Sequence, residues 1–152
     1  MFPRLLEGSI LKSYFEHANI TVINPEHTIN FLLSAIPEWK VRGSGKMDNW
    51  FGKSINWYHV GDDDSYIAIQ GGGEDRVKDW KEHWTGVKHL GIVVPSIQNV
   101  IDRLLVAGFE LDHFGANHPY RKSVYYLDEH RIQFEFIEYL SDEVSYKNDY
   151  RL

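Results

Sequence analysis

Apolar and polar positions run through the same order twice along this chain. Residues 17–23 alternate: Ala18, Ile20 and Val22 share one side, and His17, Asn19 and Thr21 share the other, which is the period of a strand. Asn24-Pro25 then offers an N-cap followed by proline at the first helical position. Ile29, Leu32, Leu33 and Ile36 follow at helical spacing, and Pro37 ends the helix. Residues 39–41 predict a second strand, and the composition of 43–52 predicts a loop. Residues 54–60 and 65–70 predict two strands joined at Gly61-Asp62-Asp63-Asp64. From residue 87 the order returns. A strand over 87–94 leads to a helix capped by Ser96, with Ile97, Ile101, Leu104 and Leu105 facing inward and Gly108 as its stop. Strands are expected over 109–114, 121–127 and 131–138, the last two joined at Asp128-Glu129-His130.

The two runs are copies of one unit. Residues 17–39 lie over 89–111 at an offset of 72 without a gap, placing His17 on His89, Ile20 on Ile92, Val22 on Val94 and Glu38 on Glu110. The hairpins at 57–69 and 124–136 match at an offset of 67, pairing Tyr58 with Tyr125 and Ala68 with Glu135. The first copy therefore carries five more residues ahead of its last hairpin, a change that loops tolerate. A repeat of this kind governs every later fold assignment. It divides the chain into an N-terminal extension (1–16, a short helix or turn), a βαβββ module (17–70), a linker (71–86), a second βαβββ module (87–140) and a polar tail (141–152) expected to fray or lie on the surface. Within the linker, Gly71-Gly72-Gly73 reads as a flexible joint, and Val77, Trp80 and Trp84 fall on one face of an expected helix over 74–84.

Composition narrows the functional classes. A chain of 152 residues that is 43% hydrophobic can bury a real core. A formal charge of -6 argues against a nucleic-acid partner. No apolar run approaches a bilayer span, so no membrane partner is expected, and the start is not a convincing signal peptide. The absence of cysteine removes thiolate metal sites and makes a cytoplasmic location the default.

Candidate chemistry sits at equivalent places in the repeat. His17 and His89 each open the first strand of a module, and Glu135 lies in the last strand of the second. Alternation sets Glu135 on one face with Gln133 and Ile137, opposite Phe134 and Phe136. Two imidazoles and a carboxylate on one face suit a divalent first-row metal with coordination positions left open: Fe(II) or Mn(II) first, with Ni(II) or Zn(II) as alternatives. Tyr125 and Tyr126 straddle a strand, so one of them faces that site and is a candidate acid or hydrogen-bond donor, as is His113. Arg121 follows His118-Pro119-Tyr120 and would bring a cation to an anionic substrate.

The segments beginning His17-Ala-Asn-Ile-Thr-Val and His89-Leu-Gly-Ile-Val-Val, together with Asp128-Glu-His-Arg-Ile-Gln-Phe-Glu-Phe-Ile-Glu, resemble the vicinal oxygen chelate superfamily (glyoxalase, bleomycin resistance and extradiol dioxygenase) over about residues 15–140. The resemblance implies an α+β fold: two βαβββ modules forming one curved mixed sheet, with helices on the outer face and an open cleft. It implies metal ligands at His17, His89 and Glu135, with Ala68 at a fourth position where it cannot ligate and Gln70 as a nearby substitute or substrate contact. A three-ligand set is similar to that of extradiol dioxygenases acting on small molecules with vicinal oxygens. A glyoxalase-like lyase or isomerase and a metal-free small-molecule binding protein are the alternatives. Open sheet edges make a homodimer plausible.

Overall fold

The computed structural model describes residues 12–151. The helix or turn expected near the N-terminus falls mostly outside them, and residues 12–16 carry neither helix nor strand. The first module runs β1 (His17–Thr21), α1 (Pro25–Ala35), β2 (Lys40–Trp50), β3 (Lys53–Gly61) and β4 (Tyr66–Gln70). The second runs β5 (His89–Val93), α2 (Ile97–Val106), β6 (His113–Phe114), β7 (Arg121–Leu127) and β8 (Gln133–Tyr139), with α3 (Val144–Lys147) in the tail. The α+β architecture of two βαβββ modules is the one expected.

Each module forms a four-stranded mixed sheet, ordered β1-β4-β3-β2 and β5-β8-β7-β6. The first strand pairs parallel with the last, and the other pairs are antiparallel. A helical crossover makes the parallel pair possible, and tight hairpins make the rest. The two ladders are hydrogen-bonded separately, so β1 and β5 are both edge strands.

The apolar stripes predicted for α1 and α2 meet in one core shared by both modules, except that Leu105, expected to face inward, is 64% exposed. Phe31, Leu32 and Ala35 of α1 join Val60, Ile67 and Ile69 of the first sheet and Val124, Tyr126, Phe134 and Phe136 of the second. Phe31 is fully buried, with its ring 5.1 Å from Phe134, 5.2 Å from Phe109 and 5.9 Å from Tyr126. Burying one such side chain is worth about 1.5–3 kcal/mol. Arg103 of α2 donates to the Ala35 carbonyl at 2.7 Å, tying the two helices together.

Four local expectations are corrected. Residues 43–50 are strand, not loop: β2 runs eleven residues, and Trp57 lies flat where a Cβ on Gly45 would stand. Residues 74–84 form turns instead of a helix. Asp79 Oδ1 takes the Lys81 N–H at 2.9 Å, a local bond that competes with helix, and the His130 carbonyl takes the Val77 N–H at 2.9 Å. The three glycines are a packed crossing, not a free joint. Gly71 donates to Asn56 and Gly73 to Val22, and a Cβ on Gly73 would meet the Val22 backbone at 2.8 Å. The tail is anchored: Tyr120 stacks on Tyr146 at 4.1 Å, and the His118 ring meets the carbonyl of buried Asp149 at 3.1 Å.

Candidate functional site

Register places the chemistry. In the second sheet His89 lies beside Gln133, Gly91 beside Glu135, and Tyr125 on the other side of Glu135, next to His113. Alternation sends Phe134, Phe136, Val124 and Tyr126 to the helix side, where all are buried. Glu135 and Tyr125 therefore share the opposite face. There His89 Nε2 stands 3.1 Å from Glu135 Oε2, and the Tyr125 ring is edge-on to His89 at 5.6 Å. The Tyr125 hydroxyl lies near Glu135, its cross-strand partner. Burial first, then the nearness of that carboxylate and its charge, push the Tyr125 pKa up to about 12, so Tyr125 is a hydrogen-bond donor at ordinary pH and not a base.

His113 continues this face. Its ring stacks on Tyr125 at 4.4 Å and on Trp80 of the linker at 5.0 Å, and its Nδ1 lies 2.6 Å from Asp112 Oδ2. The carboxylate holds the proton on Nδ1 and leaves the Nε2 lone pair available. The sequence marked neither Trp80 nor Asp112 as a site residue; it set Trp80 with Val77 and Trp84 on one face of a helix that does not form.

Tyr126 is corrected: it is 1% exposed, packed against Phe31 and Phe136, and cannot meet a ligand. Its pKa is likewise raised to about 12, by burial and then Asp102. The equivalence of Tyr58 with Tyr125 is also off by one. Ala68 pairs with His59, whereas Glu135 pairs with Tyr125, so His59 is the true counterpart of Tyr125. Ala68 does occupy the place of Glu135: it lies beside Asn19 as Glu135 lies beside Gly91, and 91 − 19 is the repeat offset of 72.

The first module arranges different chemistry on the matching face. His17 Nδ1 is 2.9 Å from Glu16, and its ring stacks on Tyr66 at 4.7 Å. His59 stacks on the same Tyr66 at 4.4 Å, and Arg42 lies 4.5 Å over that ring. Burial first, then the charges of Arg42 and His17, lower the His59 pKa, which keeps it neutral. The sequence did not single out His59; the alternation of Trp57 and His59 against Val60 was the signal that could have placed it. Gln70 stays in this sheet, paired with Thr21 and Trp57.

Two hollows flank these faces. A cleft of about 840 Å³ opens between β1 and β5 and is lined by His17, Asn19, Tyr66, His89 and Gly91. A second, of about 670 Å³, lies between α2 and residues 114–123 and is lined by Arg121, Lys122 and Glu138. Arg121 donates to the Lys147 carbonyl at 3.3 Å, so it braces the tail. Of the three metal-ligand candidates, the structure brings His89 and Glu135 together and leaves His17 with Tyr66. Among the described residues no three His, Asp or Glu side chains are grouped to hold an ion, and no helix is long and apolar enough to cross a membrane.

Comparison with known proteins adds the fold. No family model matches the chain, and no curated protein matches it. Solved structures do match. A glyoxalase family protein from Bacillus cereus superposes with a TM-score of 0.69 at 15% identity, covering 91% of this chain and 100% of its own. A glyoxylase/bleomycin resistance protein/dioxygenase domain from Frankia sp. gives 0.65 at 19% identity, covering 85% and 99%. The fosfomycin resistance protein FosX from Listeria monocytogenes, in complex with Mn(II) and sulfate, gives 0.59 at 15% identity, covering 92% and 100%. Two βαβββ modules, each with its parallel first and last strands, and these superpositions over nearly whole chains assign this chain the vicinal oxygen chelate fold.

Proposed function

We propose that this protein is a divalent-metal-dependent enzyme acting on a small molecule that presents two adjacent oxygens, of the extradiol dioxygenase type. One observation carries the reading: an imidazole nitrogen and a carboxylate oxygen converge to 3.1 Å on the face away from the helices, with a tyrosine hydroxyl near the carboxylate. One nitrogen and one oxygen donor fit a first-row divalent ion once a third protein ligand joins them. Fe(II) and Mn(II) are the favoured ions, and the FosX structures bind Mn(II). Such an ion, when bound, supplies Lewis-acid activation of a bound oxygen. Around it Tyr125, beside Glu135, would donate a hydrogen bond, and Nε2 of His113 would take a proton from the substrate; the nearness of Tyr125 to Glu135 and the hold of Asp112 on His113 Nδ1 support these roles.

His17 is the third ligand, delivered by a second copy of the chain. Among the described residues β1 and β5 both present unpaired edges on one cleft, the kind of edge that pairs with another chain. A homodimer joining β1 of one copy to β5 of the other sets His17 against His89 and Glu135. The absence of cysteine suits a cytoplasmic setting.

The test is elemental analysis of untagged protein reconstituted anaerobically with Fe(II) or Mn(II), beside His89→Ala, Glu135→Gln and His17→Ala. Near-stoichiometric metal in the natural sequence and loss in each variant is expected. Mixing unfolded His17→Ala with His89→Ala and refolding them together should restore about half a site per hybrid chain, because each hybrid dimer holds one complete set. Oxygen uptake with catechol-type probes then separates a dioxygenase from a lyase. A metal-free binding protein is the second reading, favoured by the lack of a complete ligand set among the described residues of one chain. Metal-free samples that still bind such probes would establish it.

A further inference from the structure

The two modules are joined by a pair of histidines that exchange backbone hydrogen bonds. His130, in the turn between β7 and β8, accepts the Asn24 N–H at its Nε2, at 2.9 Å, where α1 begins. His27, in the first turn of α1, accepts the Glu129 N–H at its own Nε2, at 3.2 Å. Each thus caps a backbone donor of the other module. Asn24, despite its position as N-cap, makes no side-chain capping bond.

Carboxylates fix both tautomers. Asp128 Oδ2 stands 3.0 Å from His130 Nδ1, and Glu129 Oε2 stands 3.4 Å from His27 Nδ1. A carboxylate only accepts, so each Nδ1 carries the proton and each Nε2 offers a lone pair. The cluster is deep: His130 is 3% exposed, and the Asp128 side chain is fully buried, with Thr28 Oγ1 donating to it at 3.2 Å. Asp128 also accepts the N–H groups of His130 and Ile132, which shape the turn. From the linker, the contact is the Val77 N–H on the His130 carbonyl.

We infer that this paired-histidine latch between the modules is proton-sensitive, closed with both imidazoles neutral and opened when they are protonated. A second proton on either ring must sit on Nε2, where it faces a backbone N–H instead of accepting one. Asp128 and Glu129 flank the rings and offset the added charge, while the burial of His130 and the facing of the two rings at 5.8 Å oppose it. For His130 a new acceptor is at hand: Glu129 Oε1 lies 3.6 Å from Nε2. Protonation therefore exchanges a bond between modules for one inside the turn and frees the N–H of Asn24, the N-cap residue of α1. Residues 22–24 connect β1 to α1, so the loosened corner is the one that carries the strand of His17. This device does not depend on the metal reading.

The experiment uses the whole chain in its natural sequence. Amide exchange protection of Asn24 and Glu129 is measured by NMR between pH 8 and about pH 5, spanning the ordinary histidine range. The Val94 N–H, bonded to the Ile137 carbonyl at 2.8 Å in the second ladder and outside that corner, is the internal reference. Protection at Asn24 and Glu129 is expected to fall about tenfold or more relative to Val94 as the pH drops. Imidazole ¹⁵N spectra should show Nε2 unprotonated in both rings at pH 8. His130→Gln and His27→Gln keep an acceptor but cannot titrate, so in a folded variant the corresponding amide should stay protected at pH 5. Unchanged relative protection in the natural sequence, or a protonated Nε2 at pH 8 in either ring, overturns the inference whether or not the variants fold.

Discussion

Two adjacent tyrosines have opposite fates, and one residue of register decides them. Tyr125 meets Glu135 and His89, while Tyr126 is packed beneath Phe31 and Phe136. Neither the repeat nor periodicity could choose between them, because the two hairpins differ by one residue: 68 − 59 is 9, and 135 − 125 is 10. The placement of His89 and Glu135 on one face was legible, since strict alternation and the repeat both set it. Their contact was not, because it depends on the register between β5 and β8, which pair across 44 positions of sequence (135 − 91). The distinction has measurable consequences. With Glu135 as the metal ligand proposed above, Tyr125→Phe removes the hydroxyl beside it and is expected to weaken metal affinity about tenfold or more, as loss of a ligand's supporting group does. Tyr126→Phe removes a hydroxyl with no bonding role at the site and is expected to leave metal affinity unchanged. Competition against a chelating dye would read both, and equal effects would remove Tyr125 from the site.

At the scale of elements, order was readable and extent was not. Helix α2 follows its sequence signals closely: Ser96 caps it through the Asn99 N–H, and Gly108 takes a φ of +90° just after its end. Hairpin β2–β3 does not. Its glycines and polar residues look like loop, yet Gly45 is a strand residue whose missing side chain makes room for Trp57. The turn of that hairpin also carries an unusual residue. Phe51 has a φ of +48° and is 92% exposed, and Gly52 follows at +86°. Two left-handed residues in succession suit asparagine followed by glycine, and a bulky residue there is disfavoured by roughly 1–2 kcal/mol. Because Phe51 buries almost nothing, Phe51→Asn is expected to raise stability by about 1 kcal/mol in urea unfolding. No gain would mean that Phe51 is held by a contact absent from the single chain.

Across the whole molecule, the modules are repeats in sequence but not independent bodies. Phe31 belongs to the first module, yet its ring contacts lie with Phe109, Tyr126, Phe134 and Phe136 of the second. The apolar stripe of α1 was legible from its spacing; which sheet receives it was not, since any apolar face satisfies that stripe equally well. This sharing sets how the protein unfolds. A core that runs through both modules makes neither stable without the other, so unfolding should be one cooperative transition. Phe31→Ala empties the centre of that core and is expected to cost about 3–5 kcal/mol. Its transition should remain single, with both modules losing structure together by circular dichroism and by tryptophan fluorescence. Separate transitions in the variant, one keeping the signal of Trp57 in the first sheet and one that of Trp80 beside the second, would show that each module carries a core of its own and that α1 merely bridges them.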